Sequence, residues 1–421
     1  MFFRRRAYVI FFRNVRRHKS NGIRLRLPLF FRAGLCYNFP VYARRGFPVP
    51  RGFPERSDDP AMKRLQSILP GFLPNESMEK EFVFYDPWDE PFRLTGLWRN
   101  PDREYRRLPA DVAENTSEGV ARLALHTAGA CIRFATDAKR MALALILRLR
   151  DVYGTMTVNG VSSPEVYVEK DGKEQQVAIL RPPFQEDNLI NPVMQCAITL
   201  PGEGVRTVCI YLPLCNGVKG LLIGLPEGCA PSAPRPRRIE KPILFYGSSI
   251  TQGMCAAMPG ACFSAILGRR LDAVVYNLGF AGNAKAEPAI AEYIAAQEMS
   301  AFIYDYDHNA PTPEYLAETH ERMFQTIRAA QPDLPVIMTT KPDYDTNPEV
   351  NERRWAIVRK TYENAVAAGD QNVFFVDGKK HFGETERTLC FADDVHPNTL
   401  GFLRMSDNIE PTLRRALKLT D

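Results

Sequence analysis

The alternation of hydrophobic and polar residues divides the chain into two parts of different texture. Over residues 82–225, short runs of alternating apolar and polar residues are separated by turn residues, a pattern typical of strands that bury one face. Asn159-Gly160 and Asp171-Gly172 lie between such runs and favour hairpin turns. This part is predicted to form an all-β sandwich, with strands over residues 120–126, 131–135, 141–149, 156–158, 165–169, 176–180, 195–200 and 207–212.

Beyond Lys241, short and fully apolar runs alternate with long amphipathic stretches. Strands that are covered on both faces have this continuous apolar character. The repeated strand and helix predict a parallel sheet between two helical layers, a three-layer α/β/α fold, in which ligands bind at the carboxyl ends of the strands. The predicted strands are 243–246, 273–276, 301–304, 336–339 and 373–376, and the predicted helices are 264–270, 286–297, 313–330, 348–368 and 399–417.

The segment between these two parts, residues 226–238, is dense in proline and arginine, which disfavours regular structure. The predicted organisation is therefore a basic extension over residues 1–78, a β-sandwich domain over 79–225, a linker over 226–240 and an α/β domain over 241–421.

Charge is unevenly distributed between the N-terminal extension and the rest of the chain. Residues 1–54 hold 13 Lys and Arg and no acid, which leaves 41 basic residues (54 − 13) against 49 acidic ones in the remainder. An acidic body argues against a nucleic-acid-binding surface. The extension matches no standard targeting signal, and we expect it to lack stable structure, with Met62 or Met78 as the functional initiator.

Two further features of the composition bear on location. No apolar run reaches the roughly 18 residues of a membrane span. The nine cysteines are scattered without a C-x-x-C pair, which predicts neither a disulfide framework nor a zinc site and favours a reducing compartment, the cytoplasm.

A small polar cluster follows the first strand of the predicted α/β domain. Gly247 allows a sharp strand-to-helix turn that would project a serine hydroxyl at the strand end and leave backbone N–H groups free for an oxyanion. By itself the segment fits an ordinary Gly-Ser loop equally well. After the last strand, however, Asp393 precedes His396 by three residues, a spacing at which a carboxylate can fix the imidazole tautomer. The two features together indicate nucleophilic catalysis.

Two more polar segments, residues 277–283 and 304–310, follow the second and third predicted strands. Ester hydrolysis through a serine needs hydrogen-bond donors for the developing alkoxide. A glycine N–H and an asparagine amide in these segments would supply two of them.

Four segments in this order resemble the SGNH (GDSL-type) hydrolase family over about residues 241–417. The resemblance rests on Gly247-Ser248-Ser249, on residues 277–282, on Asp307-His308-Asn309-Ala310 and on Asp393-x-x-His396. The chain departs from the family pattern at Ser248, where an acid is usual, and at Asp307 and Ala310, where Gly and Asp are usual.

The resemblance implies a role for each matched position. It makes Ser249 the nucleophile and Asp393 and His396 its triad partners. It places the N–H groups of Ser249 and Gly282 and the Asn309 amide in the oxyanion hole. The preceding sandwich resembles that of bacterial esterases, several of which remove acyl groups from carbohydrates. The implied activity is hydrolysis of a small, acetyl-type ester of a carbohydrate or other small molecule, without a metal or organic cofactor.

The acidic residues near the third and fourth strand ends permit other interpretations. Asp305, Asp307, His308 and Asp343 could ligate a divalent metal, although this spacing is not a standard ligand set. Alternatively, Asp307 and His308 could bind sugar hydroxyls in a substrate cleft, or cap the helix that begins near Thr312.

Other function classes stay open as well. A thioesterase or a lysophospholipase would use the same triad on a different substrate. A non-catalytic carbohydrate-binding protein would instead present aromatic residues of the sandwich to sugar rings, with Trp88, Trp98 and Tyr167 as candidates. The sequence determines neither the acyl and alcohol parts of the substrate nor the oligomeric state.

Overall fold

The computed structural model describes residues 60–69, 76–170 and 172–420. Most of the predicted extension, up to residue 59, lies outside the described residues. In the described residues, the N-terminal part contains two antiparallel sheets, with strand orders β1-β9-β4-β7 and β2-β3-β8-β5-β6. The strands are β1 (Phe82–Tyr85), β2 (Arg93–Thr95), β3 (Cys131–Thr136), β4 (Arg140–Leu147), β5 (Glu165–Lys170), β6 (Lys173–Ile179), β7 (Val193–Thr199), β8 (Arg206–Tyr211) and β9 (Val218–Pro226).

The two sheets pack face to face around a common core. Phe134 of β3, Leu143 of β4 and Ile210 of β8 belong to one cluster of buried side chains, each at most 1% exposed. The predicted sandwich is therefore confirmed. The domain also carries the short helices α1 (Pro60–Ile68), α2 (Glu76–Glu81), α3 (Ala110–Thr116), α4 (Glu118–Leu123) and α5 (Val158–Ser162).

Some of the predicted local structure in this domain is wrong. Residues 120–126, predicted as a strand, lie mostly in α4, which Ser117 begins by accepting a hydrogen bond from Val120 N. Asn159-Gly160, predicted as a hairpin turn, lies inside α5, where Thr157 is the N-cap. In both cases a Ser or Thr cap stabilises a helix that the apolar pattern did not indicate. β5 and β6 pair as antiparallel neighbours, with Lys170 opposite Lys173; the turn predicted at Asp171-Gly172 falls partly outside the described residues, because Asp171 is not described.

Both sheets are covered on their second face. Leu65 of α1 is 1% exposed and packs with Phe82, Ala144 and Leu222 on the four-stranded sheet. The segment 60–69, assigned by prediction to the unstructured extension, therefore packs on the β domain. The five-stranded sheet buries its second face against the α/β domain, and Cys209 shares a core cluster with residues of that domain. Strands β3 and β8 are consequently buried along their whole length.

The C-terminal part is a five-stranded parallel sheet of order β11-β10-β12-β13-β14. One apolar cluster packs α7 and α11 on one face, and another packs α8, α9 and α10 on the opposite face. The predicted three-layer α/β/α architecture is confirmed. The strands are β10 (Ile239–Gly247), β11 (Ala273–Gly279), β12 (Ala301–Asp305), β13 (Val336–Thr339) and β14 (Val373–Val376), and the helices are α6 (Ser249–Gln252), α7 (Phe263–Leu271), α8 (Pro288–Ala295), α9 (Pro313–Ala330), α10 (Pro348–Ala367) and α11 (Thr399–Ala416).

The segment between the domains is held by ion pairs. Arg235 binds Glu169 of β5 at 2.8 Å and Asp272 at 2.5 Å. Arg237 binds Glu174 of β6 at 2.7 Å and Asp272 at 3.3 Å. Because Asp272 follows α7, these arginines connect both domains to the linker, whose predicted end at residue 240 falls inside β10. No helix in the described part of the chain is long and apolar enough to cross a membrane.

Candidate active site

Strand register brings three of the predicted segments to one edge of the parallel sheet. Gly247, the last residue of β10, pairs with Gly279 of β11 and with Asp305 of β12. Neighbouring strands lie about 4.8 Å apart, so the loops that follow these three residues are adjacent. Those loops carry Ser249, Gly282 and Asn309.

The turn that positions Ser249 depends on the two residues before it, Gly247 and Ser248. A Cβ on Gly247 would lie 2.0 Å from the Asp305 carbonyl oxygen, so the strand can pass β12 at this point only as glycine. Ser248 is the N-cap of α6, and its hydroxyl accepts a hydrogen bond from Ile250 N at 3.1 Å. Serine therefore serves as the helix cap at the position where the family usually has an acid. Ser249 follows as the first residue of α6 and is 7% exposed.

Ser249, His396 and Asp393 form a continuous hydrogen-bonded chain. The His396 Nε2 atom lies 2.9 Å from Ser249 Oγ, and His396 Nδ1 lies 2.9 Å from Asp393 Oδ2. Asp393 Oδ1 also accepts the backbone N–H of His396 at 2.7 Å and that of Val395 at 2.9 Å. Partial burial favours the neutral acid, but these backbone bonds and the imidazole outweigh it and lower the pKa of Asp393. The carboxylate therefore stays charged beside the imidazole.

Three hydrogen-bond donors at this edge have no acceptor. Within residues 60–69, 76–170 and 172–420, neither the N–H of Ser249, nor that of Gly282, nor the Asn309 amide donates a hydrogen bond. Gly282 has φ +70° and open space around its Cα, a backbone conformation that favours glycine. Unpaired donors on neighbouring strand ends can receive an anionic oxygen.

The loop of Asn309 differs from the family pattern and has its own support. The Arg354 guanidinium, on α10, donates to the Asp307 carbonyl at 2.6 Å and to the Ala310 carbonyl at 2.9 Å. These bonds hold both ends of the short 3-10 turn Asp307–Asn309. The role of Arg354 could not be read from the sequence, because it lies 47 residues from Asp307 along the chain.

Two further residues at this edge were missed by sequence reasoning. Gln252 is 1% exposed, and its Oε1 accepts the Ala281 N–H at 3.1 Å. Arg107 of the β domain is fully buried and donates to the carbonyls of Asn277 and Gly279, at 2.9 and 2.7 Å. Both support the segment that leads to Gly282. The glutamine three residues after Ser249 was the only signal in the sequence for such support. Nothing local indicates partners that lie so far away along the chain.

The acidic residues proposed as metal ligands are held separately. Asp305 accepts a hydrogen bond from Thr251 Oγ1 at 2.7 Å. Asp307 Oδ2 accepts the Lys341 N–H at 3.1 Å, and Asp343 Oδ2 lies 3.1 Å from Lys341 Nζ. In the described part of the chain, these acids do not belong to a group of three or more ligand atoms within 4.8 Å of one another; Cys255, Asp393 and His396 form such a group. The metal interpretation of the Asp305 cluster is therefore not supported.

Asp307 and His308 also do not cap the following helix. Thr312 is the N-cap of α9 and accepts a hydrogen bond from Tyr315 N at 3.2 Å. His308 Nε2 lies 3.3 Å from Asp343 Oδ1, close enough for an ion pair but without hydrogen-bond alignment. Asp307 is fully buried, whereas the His308 side chain is 13% exposed. Of these two residues, His308 is the one that can meet a bound molecule.

The aromatic residues proposed as a sugar platform divide into two groups. Trp88 is 7% exposed and stacks edge-on against Tyr105 inside the sandwich. Tyr167 is also 7% exposed, and its ring contacts the Tyr211 ring and the Arg269 guanidinium. Both are core residues and cannot stack on a sugar. Trp98 is half-buried.

A segment of the β domain adjoins the triad. Thr157 donates to the Ala257 carbonyl at 2.9 Å, and the Cys255 thiol donates to Thr155 Oγ1 at 3.8 Å. Cys255 and Ala257 lie in the turn that follows α6. The sandwich and the nucleophile turn are therefore in direct contact.

Comparisons with known proteins agree with this architecture. Residues 240–414 match the GDSL-like lipase/acylhydrolase family, and residues 82–230 match the N-terminus of SGNH-hydrolase-type esterases. No curated protein matches the sequence.

Solved structures share the fold over both domains. A GDSL-like lipase from Bacteroides ovatus is similar at 24% identity, with a TM-score of 0.72, over 80% of this chain and 99% of that one. The salicylyl-acyltransferase SsfX3 from a tetracycline biosynthetic pathway is similar at 19% identity and a TM-score of 0.68, over 80% and 98%. An acetyl xylan esterase from Butyrivibrio proteoclasticus is similar at 12% identity and a TM-score of 0.52, over 81% and 100%. The two family matches show a GDSL-like lipase/acylhydrolase domain over residues 240–414, preceded over residues 82–230 by the N-terminal domain of SGNH-hydrolase-type esterases.

Proposed function

We propose that this SGNH hydrolase cleaves small carboxylic esters through an acyl-enzyme on Ser249, and that acetylated carbohydrates are its substrate class. The observation that carries the mechanism is the hydrogen-bonded chain from Ser249 Oγ through His396 to Asp393, with 2.9 Å at each step. A nucleophile, a base and an orienting carboxylate at these distances are the parts of serine catalysis.

The first half of the reaction forms the acyl-enzyme. His396 Nε2 takes the hydroxyl proton of Ser249 as Oγ attacks the ester carbonyl. Asp393 remains ionised, holds the imidazole by Nδ1 and stabilises the imidazolium. The imidazolium then protonates the leaving alcohol, and the bond between carbonyl carbon and alcohol oxygen breaks. Water, deprotonated by the same imidazole, releases the acid and regenerates Ser249.

Charge on the carbonyl oxygen develops next to the three unpaired donors. The N–H groups of Ser249 and Gly282 and the Asn309 amide are assigned to this oxyanion. A well-aimed donor of this kind contributes about 3 kcal/mol to lowering the barrier. The donors lie two to four residues after the ends of β10, β11 and β12, and the register of these strands in the sheet keeps the three segments adjacent.

The alcohol part of the substrate is inferred from the polar residues around Asn309. Asp307 Oδ1, Asp343 Oδ1, His308 Nε2 and Asn309 Oδ1 are buried without a hydrogen-bond partner. Such groups bind hydroxyls or ordered water well, because leaving them unpaired is costly. A sugar hydroxyl would bind at the His308 side chain, which is 13% exposed although its Nε2 atom is buried beside Asp343. The acetyl xylan esterase among the similar structures acts, by its name, on a compound of this class.

The test is hydrolysis of p-nitrophenyl esters of increasing acyl length, followed by release of acetate from acetylated oligosaccharides. We expect acetate esters to give the highest kcat/KM. Ser249→Ala should lower kcat at least about 10⁴-fold. A metal chelator should not reduce the rate. A preference for long acyl chains would instead indicate a lysophospholipase, and a preference for thioesters a thioesterase.

Adjacent aspartates provide a matched pair of variants. Asp393 is hydrogen-bonded to His396, whereas Asp394 is exposed. Asp393→Asn should lower kcat by about 10⁴-fold, since an amide does not stabilise the imidazolium, and Asp394→Asn should be close to wild type. Equal effects of the two changes, or an active Ser249→Ala enzyme, would contradict the proposed mechanism.

A further inference from the structure

A cysteine side chain lies beside the triad and takes no part in the proposed steps of hydrolysis. Cys255, in the turn after α6, is 7% exposed. One ligand atom each from Cys255, Asp393 and His396 lie within 4.8 Å of one another. In residues 60–69, 76–170 and 172–420, this is the group of histidine, cysteine and acidic side chains that meets that distance.

These three groups are a ligand set that zinc prefers. Zn²⁺ binds thiolate sulfur at about 2.3 Å and imidazole nitrogen or carboxylate oxygen at about 2.0 Å, with tetrahedral geometry. Such a geometry places the ligand atoms roughly 3.3–3.8 Å apart. The observed separations are therefore within about 1–1.5 Å of a coordinating arrangement, a change that side-chain rotation can supply.

The site is also reachable from solvent. The side chains of His396 and Asp393 are 20% and 27% exposed, while Cys255 is 7% exposed and its thiol contacts Thr155 of the β domain. Three protein ligands leave a fourth position of a tetrahedral ion for water, as in open zinc sites.

We propose that Cys255, Asp393 and His396 form an inhibitory binding site for Zn²⁺. A bound ion occupies the imidazole lone pair that the hydrolysis needs for its base and draws Asp393 away from His396. Binding and hydrolysis then exclude each other on the same two side chains. The inhibition rests on the proposed function, whereas the binding does not.

Zinc binding is tested by calorimetric titration of the full-length chain carrying Ser249→Ala. This change removes the proposed nucleophile and leaves all three ligands in place. We expect one Zn²⁺ per chain. Adding Cys255→Ser should weaken the affinity at least about tenfold, the lower end of what disturbing a metal's surroundings costs. Cys229→Ser, at a free and half-buried thiol of the linker that packs against the core of the β domain, is the matched control and should leave the affinity unchanged.

Titration with Co²⁺ identifies the ligand directly. A cobalt ion bound by Cys255 gives a thiolate-to-metal charge-transfer band in the near ultraviolet, which should be present in Ser249→Ala and lost on adding Cys255→Ser. Asp393→Asn is a second variant that weakens the site without touching the cysteine. It decides the outcome if Cys255→Ser does not fold. Unchanged zinc affinity in a folded Cys255→Ser protein, or no thiolate band, would overturn the proposal.

Inhibition is measured separately on the enzyme with Ser249 intact. Micromolar Zn²⁺ should suppress ester hydrolysis in wild type and in Cys229→Ser, and a chelator should restore it. Cys255→Ser should need at least about tenfold more Zn²⁺ for the same fractional loss, relative to its own metal-free rate. If Zn²⁺ binds at Cys255 but the protein hydrolyses no ester, the proposed function is refuted, whereas the proposed metal site is not.

Discussion

Gln252 links the nucleophile helix to the loop of Gly282. Its Oε1 accepts the backbone N–H of Ala281, the residue directly before Gly282, at 3.1 Å. Its Nε2 donates to the Leu214 carbonyl at 3.0 Å and lies 3.1 Å from His126 Nδ1. Leu214 and His126 belong to the β domain. One buried amide therefore fixes the Gly282 loop relative to both α6 and the β domain.

Gln252→Ala is expected to lower kcat about 100-fold with a small change in KM. The proposed oxyanion donor Gly282 would lose its fixed position, and a displacement of about 1 Å at such a site costs on the order of 10²-fold. Steady-state kinetics on p-nitrophenyl acetate measures the effect. Gln297→Ala, at a half-buried glutamine whose side chain donates to the Tyr293 carbonyl of α8, is the control. Equal kinetics for the two variants would show that the Gly282 loop does not depend on Gln252.

Arg107 is a buried cation without a carboxylate partner among the described residues. Its guanidinium donates to four backbone carbonyls, those of His126, Asn277, Gly279 and Leu123. Burial is the main cause that lowers its pKa, to about 10. Three of its bonds are made by the two terminal nitrogens, which a lysine ammonium cannot reproduce from one position.

Arg107→Lys is therefore expected to lower the free energy of unfolding by about 3 kcal/mol, because buried carbonyls lose their donors. Urea denaturation at neutral pH measures this. Arg99→Lys, at a more accessible arginine over the Trp88 ring, should change stability by less than about 1 kcal/mol. If both variants lose a similarly small free energy of unfolding, the hydrogen bonds of Arg107 to the α/β domain do not stabilise the fold as proposed.

The buried pair of Glu174 and Arg237 predicts a pH-dependent contribution to stability. The two side chains are 4% and 7% exposed and lie 2.7 Å apart. Burial raises the pKa of Glu174, but Arg237 and the Tyr211 hydroxyl, at 2.6 Å, outweigh burial and lower it overall. A lowered folded-state pKa contributes stability that is present above the unfolded value of about 4.3 and is lost as pH falls through the folded value.

Glu174→Gln should cost about 3 kcal/mol at pH 7, because Arg237 loses its closest buried partner. The difference from wild type should shrink as pH falls below about 4.3, where the glutamate of the unfolded chain becomes neutral while that of the folded protein still holds its charge. Urea unfolding at several pH values tests this. Glu203→Gln removes an exposed pair with Lys139 at 3.9 Å and should cost less than about 1 kcal/mol. A deficit for Glu174→Gln that does not change with pH would contradict a lowered pKa for Glu174 in the folded state.

Asp305 predicts the opposite dependence on pH. It is 2% exposed, and burial, followed by the neighbouring Asp307 carboxylate, raises its pKa well above the usual range. The folded state then holds a proton that the unfolded chain releases above about pH 3.9, so this group reduces stability as pH rises.

Asp305→Asn keeps the acceptor for Thr251 Oγ1 and removes the ionisable group. We expect the free energy of unfolding of Asp305→Asn to increase relative to that of wild type as pH rises above about 4, as measured by thermal or urea unfolding. Asp394→Asn, at an exposed position, should follow wild type throughout. If the advantage of Asp305→Asn in the free energy of unfolding became smaller as pH rises, Asp305 would not be a neutral buried acid.

The α/β domain was largely predictable because its elements follow local rules. Buried parallel strands are continuous apolar runs, and α9 begins at Pro313 behind its Thr312 cap, as the pattern indicates. The β domain was less predictable. Strand β9, residues 218–226, was missed, and α4 was taken for a strand, since short apolar runs do not separate helix from strand.

The sequence by itself determined the order of the elements in the α/β domain, the acidic composition after residue 54 and the spacing of Asp393 and His396. These depend on neighbours along the chain. Only the tertiary structure decided that His396 reaches Ser249, 147 residues away, that Arg107 and Gln252 support the Gly282 segment, and that Cys255 lies beside the triad. Such contacts depend on strand register and on the packing of one domain against the other, which no local pattern of residues encodes.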